Sequence, residues 1–155
     1  MAEYTENEIG GWLTILDDTP TEVPKTAFIA KTSFTRHVTN VVLESASIHI
    51  GCQAGKNFLF VDFDVPIKNS FQGKKHNIEF QLDEGKINAA KWNLASNKKA
   101  LLVPKPESFI KQLFKAQLVL FKIENESNSD IINSYFNISD LSEAFIFVKN
   151  NCQWK

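Results

Sequence analysis

Two carboxylates two positions apart, Asp62 and Asp64 in FVDFDV, have the spacing in this chain that most invites chemistry. On a strand they would share a face, where they could hold a cation or divide acid and base work between them. The same alternation also produces a plain solvated stripe. Asp17 and Asp18 in TILDDTPTEV form a second acidic pair. Asp-Asp-Thr-Pro equally fits a turn, because short acceptors satisfy nearby backbone donors. His49 lies between Ile48 and Ile50, which on a strand turns its ring to the wetter face. A base there needs a nucleophile and an orienting partner, and no spacing implies either. Ser33, Ser45 and Ser47 occupy no GxSxG elbow, and there is no glycine-rich phosphate loop. His37, His49 and His76 are scattered and no CxxC occurs, so no metal is expected. Trp92 in AKWNLAS could stack on a sugar or a peptide, or it could fill a β core. The expectation is a protein without catalytic residues and without a cofactor.

The two cysteines raise a different question. Cys52 sits in SIHIGCQAGKNF and Cys152 in the closing AFIFVKNNCQWK. Each adjoins a strongly structured segment, and a terminal helix gains most from being tied down. A Cys52–Cys152 disulfide is therefore the leading expectation, with two free buried thiols as the alternative. The bridge would close a loop spanning nearly the whole chain, and it would persist only in an oxidising compartment.

These residues must be carried by one domain, since 155 residues suffice for a single core and not for two. The formal charge is −1, from 17 basic and 18 acidic residues. That balance argues against nucleic acid, whose phosphates need a clustered cationic face. No apolar run reaches the ~18 residues of a membrane span. The opening MAEYTENEIGGW lacks both the basic and the apolar part of a signal peptide. It fits either a cytoplasmic protein or a mature form without its leader.

Alternation dominates the chain. Strands are expected over 27–34, 45–52, 57–65, 76–83, 86–94, 99–104, 117–124 and 133–138. The short glycine-containing links at 53–57 and 83–86 imply antiparallel hairpins. Longer loops are expected at 69–75 and 125–130. Phe109, Ile110, Leu113 and Phe114 follow Pro106 and Glu107 at helical spacing, which predicts a helix over 106–116. Asp140 with Glu143 three residues on resembles a capping box opening a second helix over 140–152. The predicted fold is a mostly β, antiparallel, sandwich-like single domain with two short helices. Residues 1–10 are expected as a flexible N-terminal segment and 11–155 as the domain.

The stretch from FQLDEGKINAAKWNL to FKIE, followed by FNISDLSEAFIFVKNNCQW, resembles the VasI-like (TagO, EvfG) accessory proteins of the type VI secretion system. Trp92, Ser96, Pro106, Phe109, Ile110, Leu113, Phe136, Ile138, Leu141, Ala144, Cys152 and Trp154 occupy the family's positions. Trp12, Asp17 and Asp18 look like its opening turn, and Cys52 like its central cysteine strand. The chain departs from the pattern at Gly51, where the family commonly has Arg, and at Phe80-Gln81, where it often has Tyr-Arg. The TPY region after the late strand is replaced by ENESNSD. The resemblance implies a periplasmic or secreted protein that acts through contacts with secretion or envelope machinery. An exposed sheet face or edge would present those contacts, with loops 66–75 and 124–132 at its rim. Asp62, Asp64 and Trp92 are the candidate contact residues. The alternative is a cell-wall or glycan-binding module using an exposed Trp92.

Overall fold

The computed structural model describes residues 4–18, 25–34, 42–43, 45–67, 75–124 and 131–154. The eight expected strands are all present, as β3 (Thr26–Thr32), β5 (Ser47–Gln53), β6 (Lys56–Asp62), β7 (Lys75–Leu82), β8 (Ile87–Leu94), β9 (Ala100–Leu102), β10 (Leu118–Glu124) and β11 (Ile131–Asn137). Three more were not anticipated: β1 (Tyr4–Ile9), β2 (Trp12–Asp17) and the two-residue β4 (Val42–Leu43). All eleven join one sheet in the order β1-β2-β3-β5-β6-β9-β8-β7-β10-β11-β4. Every neighbouring pair is antiparallel except β11 with β4.

Residues 4–9 are thus an edge strand rather than a flexible segment. The sequence hides it because YTENEI has no apolar alternation beyond Ile9. What makes the hairpin is the Gly10–Gly11 turn, with φ of +56° and +80°. A two-residue turn between twisted strands needs positive φ at both positions, which glycine adopts without steric cost. Ile9 then faces Trp12 across the ladder.

The sheet curls until its far parts meet. Just past β3, the Phe34 N–H donates to the Tyr135 carbonyl at 2.9 Å, forming a bridge to β11. The curl gives each strand an inner and an outer face. Inner side chains from both halves, including Trp12, Ile29, Ile48, Leu59, Trp92, Phe121 and Phe136, merge into one core. Alternation has a simple cause here: successive side chains point to opposite faces, and only one face is covered.

Two helices cover that inner side. Helix α1 (Pro106–Leu113) buries Pro106, Phe109, Ile110 and Leu113. Helix α2 (Leu141–Asn151) buries Leu141, Ala144, Phe145 and Val148 against β2, β3 and β5. Pro106 opens α1, where a missing N–H costs nothing. The expected capping box on α2 does not form, since Asp140 makes no side-chain cap hydrogen bond. Its side chain lies against the β1–β2 turn instead. A Cβ added at Gly10 would fall 2.7 Å from that of Asp140, so the second role of this glycine is to admit the helix start.

No helix among the described residues is long and apolar enough to cross a membrane.

Candidate functional site: a clasped aromatic sheet face

The thiols are bonded: Cys52 and Cys152 form a disulfide across 100 residues. Cys52 shares the inner face of β5 with Ile48 and Ile50, which is why it meets the end of α2. The tail is stitched down on both sides of the bridge. Trp154 Nε1 donates to the Gly51 carbonyl at 3.1 Å, and its ring meets Phe145 edge-on at 5.3 Å. Asn57 Nδ2 lies 3.0 Å from the Gln153 carbonyl and 3.1 Å from Glu107 Oε1, linking the tail to β6 and α1. Gly51 itself lies tight against β3. A Cβ there would fall 2.5 Å from Phe28 Cα, so the arginine common in the resembled family has no room in this backbone.

On the opposite, outer face of the same strands no helix packs among the described residues. Register sets Leu13, Ala30, His49, Phe60 and Leu102 in one row across β2, β3, β5, β6 and β9. The next row runs Ile15, Phe28, Gly51 and Phe58. Phe28, His49, Phe58 and Phe60 are each half-buried and touch ring to ring. His49 stacks on Phe60 with centroids 4.5 Å apart and planes 10° from parallel. Gly51, between them in register, lets the Phe28 and Phe58 rings meet at 6.2 Å.

His49 has a polar side as well. Its Nε2 lies 2.9 Å from Ser47 Oγ, and Ser47 stands opposite Asp62 in register. Burial lowers the His49 pKa, and the nearby Asp62 carboxylate opposes that shift. The structure thus gathers a Ser, a His and an Asp that sequence spacing did not suggest. The only advance signal was the i, i+2 pair Ser47–His49 on one strand, and Asp62 joins through register alone. Nucleophilic chemistry needs donors aimed at a developing oxyanion. Ser47 opens β5 between Thr32 and Asp62, and the preceding Ala46 N–H already donates to Ser33 Oγ at 2.8 Å. Ser47 holds the imidazole through that hydrogen bond, and Asp62 acts on it through its charge.

The other predicted residues are placed as follows. β6 ends at Asp62, and Asp64 follows in a bend with φ of +58°, donating its N–H to Asp62 Oδ1 at 2.9 Å. The two carboxylates therefore share no strand face. No cluster of three or more metal-ligating side chains exists among the described residues. Asp17 ends β2 paired with Thr26 rather than opening a turn, and Asp18 is exposed. Trp92 is only 3% exposed and packs among Phe80, Phe109 and Phe121, so it offers no stacking platform. Trp12, Phe109 and Leu141 are also core residues, Trp154 is half-buried, and Ser96 lies in the β8–β9 turn. Most of loops 66–75 and 124–132 falls outside the described residues.

No protein-family model matches this chain, and no curated protein or solved structure gives a significant match.

One pH prediction arises from the imidazoles. Burial lowers the pKa of both His49 and His76 below the ordinary ~6.5. The unfolded chain then binds more protons than the folded one as pH falls past that value. Stability is full above about pH 6.5 and is lost progressively below it. Denaturant titrations should show the midpoint falling from pH 7.5 to pH 5.5, with a shallower fall in His49→Gln. A midpoint that rises on acidification would contradict the burial of these rings.

Proposed function

We propose that this protein is a non-enzymatic accessory protein of an oxidising extracytoplasmic compartment, acting through protein contacts as in the VasI-like secretion proteins it resembles. The observation that carries the reading is the outer aromatic face. Phe28, His49, Phe58 and Phe60 form contiguous apolar surface on a sheet whose inner side is already saturated by two helices. Rings held by cross-strand neighbours lose little entropy on binding and are favoured at the centres of protein interfaces. The disulfide supports the compartment, because such a bond is not maintained among cytosolic reductants. The partner is a folded protein that offers a matching apolar patch.

A photo-crosslinking amino acid at position 58 tests this in the native envelope. The expected result is one discrete adduct, absent when the probe is placed at exposed Lys91 on the other half of the sheet. Phe60→Ser should abolish the adduct while shifting the melting temperature little. Equal labelling from both positions would remove the face from consideration. The glycan alternative, built on an exposed Trp92, has no support in a ring that is buried.

A further inference from the structure

His49 stands at the middle of the aromatic face, the third of five residues in the row from Leu13 to Leu102. Its ring stacks on Phe60 at 4.5 Å and leans against Phe28 at 5.6 Å, while Nε2 lies 2.9 Å from Ser47 Oγ. The residue is still partly exposed, so whatever covers Phe28 and Phe60 must cover the imidazole as well. Few charges surround it. On β6, Asp62 stands opposite Ser47, and its carboxylate acts on the ring. On this face β3 presents Thr26, Phe28, Ala30 and Thr32, and β5 itself presents Ser47, Gly51 and Gln53. Glu8 lies in the same row beyond Leu13, and Glu6 in the next row beyond Ile15. Asp17 and Lys56 close the far end, in the row of Thr26 and Gln53.

We infer that docking on this face is gated by protons: the partner binds while the His49 imidazole is neutral and is released when the ring is protonated. The inference rests on the docking reading above and adds to it how the contact is switched. Neutral, the imidazole is a flat ring that continues the platform of Phe60. Protonated, it sets a full charge in the middle of that platform, and covering an unpaired charge with apolar surface is strongly unfavourable. Asp62 offsets part of this through its charge, although its Oδ1 already accepts the Asp64 N–H at 2.9 Å. Burial holds the His49 pKa below the ordinary ~6.5, and a covering partner lowers it further. Below the free protein's value, each complex formed must release a proton, so affinity falls by up to about tenfold per pH unit. Above about pH 6.5 the ring is neutral in both states and affinity does not change.

The test uses the oxidised protein with the photo-crosslinking probe at position 58, in native envelope held at a series of pH values from about 7.5 to 5. The adduct yield should be level down to about pH 6.5 and then fall at least threefold by about pH 5. His49→Phe keeps a ring against Phe60 and removes the proton, so its yield should stay level across the series. Asp62→Asn keeps the acceptor for the Asp64 N–H and removes the charge that favours the imidazolium, so the fall should move to lower pH. Near-ultraviolet circular dichroism at each pH follows the fold of every protein. A level parent, a parallel fall in His49→Phe, a fall that tracks loss of the folded signal, or a move to higher pH in Asp62→Asn would each overturn the gate. If no adduct forms at any pH, the docking reading itself fails and takes the gate with it.

Discussion

Replacing both cysteines, as in Cys52→Ser with Cys152→Ser, should cost about 4–5 kcal/mol of stability, because the bridge closes a loop of 100 residues. Domains of this kind retain only about 5–15 kcal/mol in total, so the loss is a large share. It should lower the melting temperature by roughly 10–15 °C for a chain of this length. The chain-entropy argument acts on the unfolded state, which regains its freedom. The native state then loses its hold on the tail, and the contacts of Asn57 with Gln153 and of Trp154 with Gly51 weaken with it. Thermal melts with and without a phosphine reductant measure the effect in the parent protein, with the serine variant as the reduced limit. Coincident melts would mean that the tail contacts alone pin α2. The same experiment bears on the proposed compartment, because a large loss on reduction fits a protein kept where disulfides survive.

Trp92→Ala should cost about 3–5 kcal/mol, the range for emptying a large aromatic site in a packed core. The indole is 3% exposed and lies edge-on to Phe109 and Phe121, with centroids 5.2 and 5.5 Å away, and stacks with Phe80 at 6.5 Å. These rings come from β7, β8, β10 and α1. The indole therefore couples one half of the sheet to the first helix, and truncation opens a cavity that four elements would have to close. Urea midpoints at a fixed m-value measure the loss. A change below about 0.5 kcal/mol would be the signature of a surface position and would revive an exposed Trp92 as a binding platform.

The cysteine pair and Trp92 show different routes from sequence to structure. For the cysteines, position alone raised the question: one beside a strand and one at the end of a helix, in a chain with no other sulfur pair. Bond formation followed because Cys52 has the parity of Ile48 and Ile50, and so faces the helix. For Trp92 the sequence left core and surface open. Its burial was decided by Phe109, a residue 17 positions away on α1, whose docking against β8 no local pattern expresses. Asp62 and Asp64 show the limit of period-two reasoning. The strand stopped at Asp62, where the Asp64 N–H turned back onto its carboxylate, and the assumed shared face vanished.

Local chemistry determined the eight principal strands, their two tight glycine hairpins, the two helices and the absence of a second core. Each depends on side-chain alternation or turn residues within a few positions. Tertiary structure alone decided that a polar N-terminal strand joins the sheet, that Ser47, His49 and Asp62 converge, and that Phe28, Phe58 and Phe60 form one surface. It also decided that His76 Nε2 is buried without a hydrogen-bond partner. All of these depend on register between strands distant in sequence, and register is set by how the whole sheet curls to bury a single face.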